Sequence, residues 1–296
     1  MSGSALGSAV KVRFYLPPED LRPFVTTIYR LDVSPDPAGP IEDALHPEWA
    51  NIRLITQGDI EASVGDARLE RVPRAILVGP TSRATRFRAE SAQSWGIGLL
   101  PLGWARVLDQ PADEYADRFA DLSQERALER LAPITACLAI EPADPQTFKD
   151  CLADAIRALL LSPQSRDTDI VGLERALVDK SVHTVSHLAA KTGMSLRTLE
   201  RLSKSVFGFT PQLLLRRQRF LRSLAQFMLD PSLKWIETLD SHYHDQAHFV
   251  RDFKRFMGMS PSAYAKQPHP VLGAAAHARK AIAGEAMQVL HKPPEG

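Results

Sequence analysis

The chain has 296 residues, 44% hydrophobic and 24% charged, with a net charge of +1. That balance excludes chain-wide disorder and fits about two globular domains. Two cysteines are too few for a disulfide scaffold, no apolar run is long enough for a membrane span, and the opening residues lack the basic region and apolar core of a secretory signal.

The first half mixes strand and helix signals. Leu16-Pro17-Pro18-Glu19-Asp20 reads as a turn into a short helix. Strand-like runs follow at 24–31, 51–56, 60–64, 75–78, 85–89 and 94–100, cut by turns such as Gln57-Gly58-Asp59 and Gly65-Asp66. The proline-rich segment 34–40 is a loop. Arg83, Arg86 and Arg88 lie on or beside the 85–89 strand; they fit an anion site or one exposed sheet face equally well. Trp49, Trp95 and Trp104, with Phe87, are candidates to line an apolar effector pocket, against the commoner role of aromatics in a core.

Helical signals begin after Pro101. The clearest is 144–161, where Phe148, Cys151, Leu152, Ala155, Ile156, Leu159 and Leu160 recur at helical spacing. Cys137 and Cys151 both fall in helical segments and read as buried structural thiols of a reducing compartment rather than a redox switch. A polar stretch opening at Ser162-Pro163 reads as a linker, 162–170. Beyond it no strand is predicted. Residues 268–296 are rich in Ala, Pro and His and read as a tail, helical in part or disordered. The expected fold is therefore an α+β sensor or dimerisation domain over 1–161, a small sheet or barrel plus helices. An all-α domain over 171–267 follows, and then the tail.

The charge is uneven. From Lys180 to Gln267 there are 14 Lys and Arg against 6 Asp and Glu, a balance of +8, which leaves 22 against 29, or −7, elsewhere. A basic helical part suggests a polyanion partner. The same part contains a repeat of period 50: Leu199 aligns with Phe249, Arg201 with Arg251, Lys204 with Lys254, Val206 with Phe256, Gly208 with Gly258, Thr210 with Ser260 and Pro211 with Pro261. Each copy ends in Gly-x-[Ser/Thr]-Pro, a left-handed helix stop followed by a capped helix with proline in its first turn. Before the stop, Leu199, Leu202 and Val206 share one face, with Arg197, Arg201 and Lys204 opposite. In the second copy Phe249, Phe253 and Phe256 face Ala247, Arg251 and Lys254. Ser195 and Asp245 are placed to cap these helices. In the first copy Val185, Leu188 and Ala189 supply a preceding helix and Thr192-Gly193-Met194 a tight turn, which completes a helix-turn-helix. A helix with a basic outer face fits the DNA major groove, and two copies suit two groove segments about 34 Å apart.

Residues 171–267 resemble the DNA-binding domain of AraC/XylS-type transcription regulators. The resemblance rests on Leu188-Ala189-Ala190-Lys191-Thr192-Gly193-Met194-Ser195 and Leu199-Glu200-Arg201-Leu202, and above all on the stretch from Tyr243 through Phe256 into Gly258-Met259-Ser260-Pro261. It implies two helix-turn-helix units joined by a long central helix, 211–229. It implies base-facing roles for Arg197, Thr198, Glu200 and Arg201 in the first unit, and for Gln246, Ala247, His248, Val250 and Arg251 in the second. Lys204, Lys254 and Arg255 are implied phosphate contacts. Ser203 departs from the usual Phe and His242 from the usual Gly, and Thr238 and Asp240 make the second scaffold helix, 234–241, unusually polar. Pieces of the N-terminal half, Leu16 to Pro23, Gly79-Pro80-Thr81-Ser82 and Pro101-Leu102-Gly103-Trp104, are similar to the N-terminal region of one subgroup, which implies an effector-binding or dimerising role by analogy.

The expectation is a sequence-specific DNA-binding regulator in the bacterial cytoplasm, on the nucleoid. Its implied partners are promoter DNA, RNA polymerase, an unknown small-molecule effector and a second copy of the chain, with no membrane. The rival is a small-molecule or partner-binding protein whose helical domain no longer reads DNA. No cofactor is expected. A metal site at His242, His244 and His248 is disfavoured because no cysteine or acidic pair completes the set. No phosphate-cradling loop or nucleophile elbow predicts an enzyme.

Overall fold

Short β-rich runs cut by turns form ten strands among the residues that the computed structural model describes: 9–140, 144–230, 232–243 and 245–291. They are β1 (Val10–Tyr15), β2 (Val25–Val33), β3 (Ile41–Leu45), β4 (Asn51–Gly58), β5 (Glu61–Val64), β6 (Glu70–Arg71), β7 (Ala75–Val78), β8 (Thr85–Ala89), β9 (Ala92–Leu99) and β10 (Phe119–Asp121). All pairings are antiparallel. One sheet runs β1-β2-β9-β4-β7-β10, and the other β3-β8-β5-β6. Every predicted run is a strand. β1, β3, β6 and β10 were not foreseen; β3 carries two acidic residues in five and β10 is three residues long.

The period of two along the strands builds two layers. Ile52, Leu54, Leu77, Trp95, Ile97 and Leu99 turn to one side and pack on helices α1 (Pro101–Val107) and α3 (Pro145–Leu159). Their neighbours Arg53, Ile55, Ile76 and Ser94 turn to the other side, toward the four-stranded sheet, and line a cavity with it. Asp144 caps α3 by accepting from the Gln146 and Thr147 amides. The short helix α2 (Ala132–Ala136) lies against α3. This places Cys137 beside Cys151 with Cα atoms 6.1 Å apart, and the two are joined in a disulfide rather than standing as separate thiols.

Helix α4 (Asp167–Val178) begins inside the segment read as linker. Arg106 fixes that junction, donating from Nε to the Leu161 carbonyl and pairing with Asp167 at 2.9 Å. The remaining helices are α5 (Val185–Thr192), α6 (Leu196–Phe207), α7 (Pro211–Leu229), α8 (Gln246–Met257), α9 (Pro261–Tyr264) and α10 (Pro270–Ala283). Helix α10 corrects the expectation of a tail. It packs against β1, β3 and α7, and Val271, Leu272 and Ala276 are buried, as are Met287, Val289 and Leu290 beyond it. Its first turn is capped from a distance, since the Asp43 carboxylate accepts from the Val271 and Leu272 amides at 2.9 and 2.8 Å. Small apolar residues and a partner 228 positions away hid this docking from the sequence.

The two halves share one core. Trp49, Ala84, Leu102 and Ala105 of the N-terminal half pack with Phe207, Leu214 and Phe256 of the helical half. Arg217 of α7 is wholly buried at this junction. It donates to the Thr81 and Glu48 carbonyls at 2.9 and 3.3 Å and lies over the Trp49 ring at 4.0 Å. Burial lowers its pKa to about 9, which leaves it charged at neutral pH.

Candidate nucleic-acid interface

The repeat folds as its punctuation predicts. Gly193, Gly208 and Gly258 all adopt positive φ, at 69°, 81° and 74°, and end α5, α6 and α8. At Gly208 a side chain would meet Pro80 as well as backbone strain, so the glycine serves both the stop and the docking of the two halves. Ser195 accepts from the Thr198 amide at 3.2 Å, Thr210 from Leu213 at 3.3 Å, Asp245 from His248 at 2.6 Å and Ser260 from Ala263 at 3.1 Å. These caps fix where each helix starts, and so which side chains its first two turns present.

On α6, Leu199, Leu202 and Val206 are buried, while Arg197, Arg201 and Lys204 are exposed on the opposite face. Thr198 and Glu200 are half-buried. Thr198 holds the Ser195 hydroxyl at 3.0 Å and Glu200 pairs with Lys204 at 3.0 Å. On α8, Phe249, Phe253 and Phe256 are buried and Gln246, Ala247, Arg251, Lys254 and Arg255 are exposed, with Val250 half-buried. Among the described residues, no ion pair occupies Arg197, Arg201, Arg251, Lys254 or Arg255. His248 sits differently. Its Nε2 accepts from Arg219 of α7 at 3.1 Å, so the proton lies on Nδ1 and the ring is neutral. Burial, with Arg219 beside it, lowers its pKa. Leu196, the first residue of α6 after the Ser195 cap, is 61% exposed although it lies on the side of the buried stripe.

Each recognition helix is seated at its C-terminal end on the N-terminal half and free at the other. Phe207 meets Trp49 edge-on at 5.5 Å, and the Phe256 carbonyl accepts from the Ala84 amide at 2.6 Å. The second unit is also tied to α7 by charge. Asp252 is fully buried and accepts from Arg216 at 2.7 Å, Arg219 at 3.2 Å and the Tyr243 hydroxyl at 3.1 Å. Its scaffold differs from expectation. Where a helix was predicted over 234–241, only a single 3-10 turn forms, Trp235–Glu237. Thr238 bonds back to the Trp235 carbonyl at 3.0 Å, and the Asp240 carboxylate takes the His242 amide at 3.0 Å and the Arg222 guanidinium. These side chains compete with helical backbone bonds, and they attach the turn to α7 instead.

Ser203 is buried with its hydroxyl unpartnered. Among the described residues no group of three or more His, Cys, Asp or Glu is arranged to hold a metal ion; His244 lies outside them. The three tryptophans do not meet around a cavity. Trp49 lies at the junction of the halves, Trp95 stacks on Phe148 at 5.0 Å, and Trp104 donates to the Gln110 carbonyl at 2.8 Å inside the helical layer. Phe87 alone of those aromatics reaches the cavity between the sheets. Arg83, Arg86 and Arg88 pair or bond on the sheet surface, Arg88 with Glu42 and Glu61.

The family described as "Helix-turn-helix domain" matches residues 188–267. Residues 188–267 are an AraC-type helix-turn-helix domain. The chain is also 30% identical over 127 residues to the transcriptional activator NphR of Rhodococcus sp., a match covering 40% of this chain and 37% of that protein's length. Among solved structures, ToxT from Vibrio cholerae aligns over 87% of this chain and 98% of its own at 10% identity and a TM-score of 0.45. The AraC-like transcriptional activator CuxR aligns over 74% and 88% at 15% identity and a TM-score of 0.23. No helix among the described residues is long and apolar enough to cross a membrane.

Proposed function

We propose that the chain is a sequence-specific transcription regulator rather than an enzyme. In this reading α6 and α8 enter successive major-groove segments of promoter DNA, and the N-terminal half, 1–161, holds a small-molecule effector. Arg197, Arg201, Gln246 and Arg251 read base edges, and Lys204, Lys254 and Arg255 hold phosphates. The observation that carries the reading is the pair of recognition helices, each capped at a free N-terminal end and each presenting exposed cations opposite a buried apolar face. The polarity of the second scaffold is accounted for by its bonds to α7. The proposal extends to a bacterial cytoplasmic, nucleoid-bound protein that acts on RNA polymerase at promoters as a homodimer.

The test is fluorescence anisotropy with DNA from the chain's own upstream region, with competitor DNA and over a salt series. Binding that survives competitor and falls steeply with salt is expected. Binding no tighter than to unrelated DNA on every upstream or genomic fragment would overturn the reading.

A further inference from the structure

The cavity between the two sheets has a volume of about 100 Å³. At roughly 10–15 Å³ per water-sized sphere, that is room for about seven to ten such spheres. Its walls are apolar over most of their area, from Leu31, Ile55, Ile76 and Phe87, and polar at one end. Space there is created by β9. Gly96 lets the Tyr29 ring lie across the strand, where a Cβ would come within 2.0 Å of it, and Gly98 admits the Gln288 side chain.

The polar end is not electrically balanced. Arg53 is matched: it pairs with Glu48 at 2.8 Å and donates to the Tyr29 hydroxyl at 2.9 Å. Arg279, from α10, is not. It is 6% exposed and lines the cavity, and its Nη1 donates to Thr27 Oγ1 at 2.6 Å, while Nε and Nη2 have no partner. Burial lowers its pKa to about 10, so it stays charged at neutral pH. The nearby histidines do not add charge. Burial depresses both His46 and His291, the latter to about 4 with Arg279 contributing. One buried guanidinium therefore lines an apolar cavity with its Nε and Nη2 unpartnered. The Nε and Nη2 hydrogens of a guanidinium point the same way, and their spacing matches the two oxygens of a carboxylate.

Resting on the effector reading above, we propose that this cavity takes a small apolar monocarboxylate whose carboxylate is held by Arg279. The C-terminal helix that follows the DNA-binding domain thus supplies the ligand's recognition group. Its position makes the ligand part of the helical half's seating. The Gln288 segment that closes the cavity also brings the Val289 carbonyl to Gln218 of α7 at 2.8 Å, and His269, directly before α10, stacks on Tyr264 of α9 at 3.9 Å. Glu48 touches both sides, with its carboxylate in the cavity wall and its carbonyl on Arg217.

Calorimetric titration of the whole chain with octanoate and with 1-octanol tests this. Octanoate should bind about ten-fold or more tighter than the alcohol. Arg279→Met should abolish that preference, and Arg279→Lys, which keeps the charge but not the fork, should weaken octanoate several-fold. The proposal is overturned if octanoate binds no better than 1-octanol, if neither binds, or if the preference survives in Arg279→Met. Should both variants fail to fold by circular dichroism, the wild-type preference alone decides. No DNA enters the titration, so its failure leaves the DNA-binding reading standing, and loss of DNA binding leaves the carboxylate site standing.

Discussion

Two buried carboxyl groups, one behind each helix-turn-helix unit, are treated in opposite ways. Behind the second unit, Asp252 meets two guanidiniums and a hydroxyl, and the recognition helix is fixed to α7 through them. Behind the first, Glu174 of α4 is 2% exposed with Oε1 unpartnered, and burial pushes its pKa up to about 8, offset in part by Arg175. Both units bury an apolar stripe, and the second is tied by charge as well. The charged ties let the second unit accept a broken scaffold helix, because directed bonds to α7 supplement the stripe of Phe249, Phe253 and Phe256. A unit held by packing tolerates a serine in place of a large apolar group only because neighbours close over it.

The contrast can be broken most sharply at Asp252. Asp252→Ala removes the buried acceptor of three hydrogen bonds, leaves the partly exposed Arg216 and Arg219 without their carboxylate, and should cost about 3 kcal/mol in urea unfolding. Next comes Glu174. Its folded pKa lies above the unfolded 4.5, so its favourable contribution is complete below pH 4.5 and is lost as pH rises through about 8. Thermal melts of Glu174→Gln and wild type should therefore diverge with pH, the variant gaining Tm relative to wild type at pH 8 and little at pH 4.5. A constant gap across that range would refute the neutral buried acid. On DNA, Arg197→Ala and Arg251→Ala should each cost about 1–3 kcal/mol and relax specificity at one base position, measured by anisotropy against mutated operators. The smallest effect is expected at Ser203. Ser203→Ala removes a hydroxyl that bonds to nothing and should change unfolding stability by about 1 kcal/mol or less, toward greater stability.

Local grammar was readable in the sequence: the caps Ser195, Thr210, Asp245 and Ser260, the glycine stops, the bounds of α7, and six strands with turn residues between them. So was the outward placement of Arg197, Arg201 and Arg251, because helical period alone decides it. What escaped was set by distant partners. The disulfide needs α2 laid beside α3, and the docking of α10 needs Asp43. The cavity's polar end joins Tyr29, Arg53 and Arg279 from three separate segments, and nothing local marks any of them. The tryptophans misled for the same reason, since size predicts burial but not which of several buried layers receives the ring.

The closing of the N-terminal sandwich by α10 has a consequence for synthesis. Pro270 follows the end of β9 by 171 residues, so the strands leave the ribosome well before the segment that covers them. At about 5–20 residues per second, the half-built sandwich waits roughly ten to thirty seconds with an apolar face open. A nascent chain in that interval is a natural client for a holding chaperone, and premature termination after the DNA-binding domain would yield a protein with both recognition helices and a permanently unroofed first half.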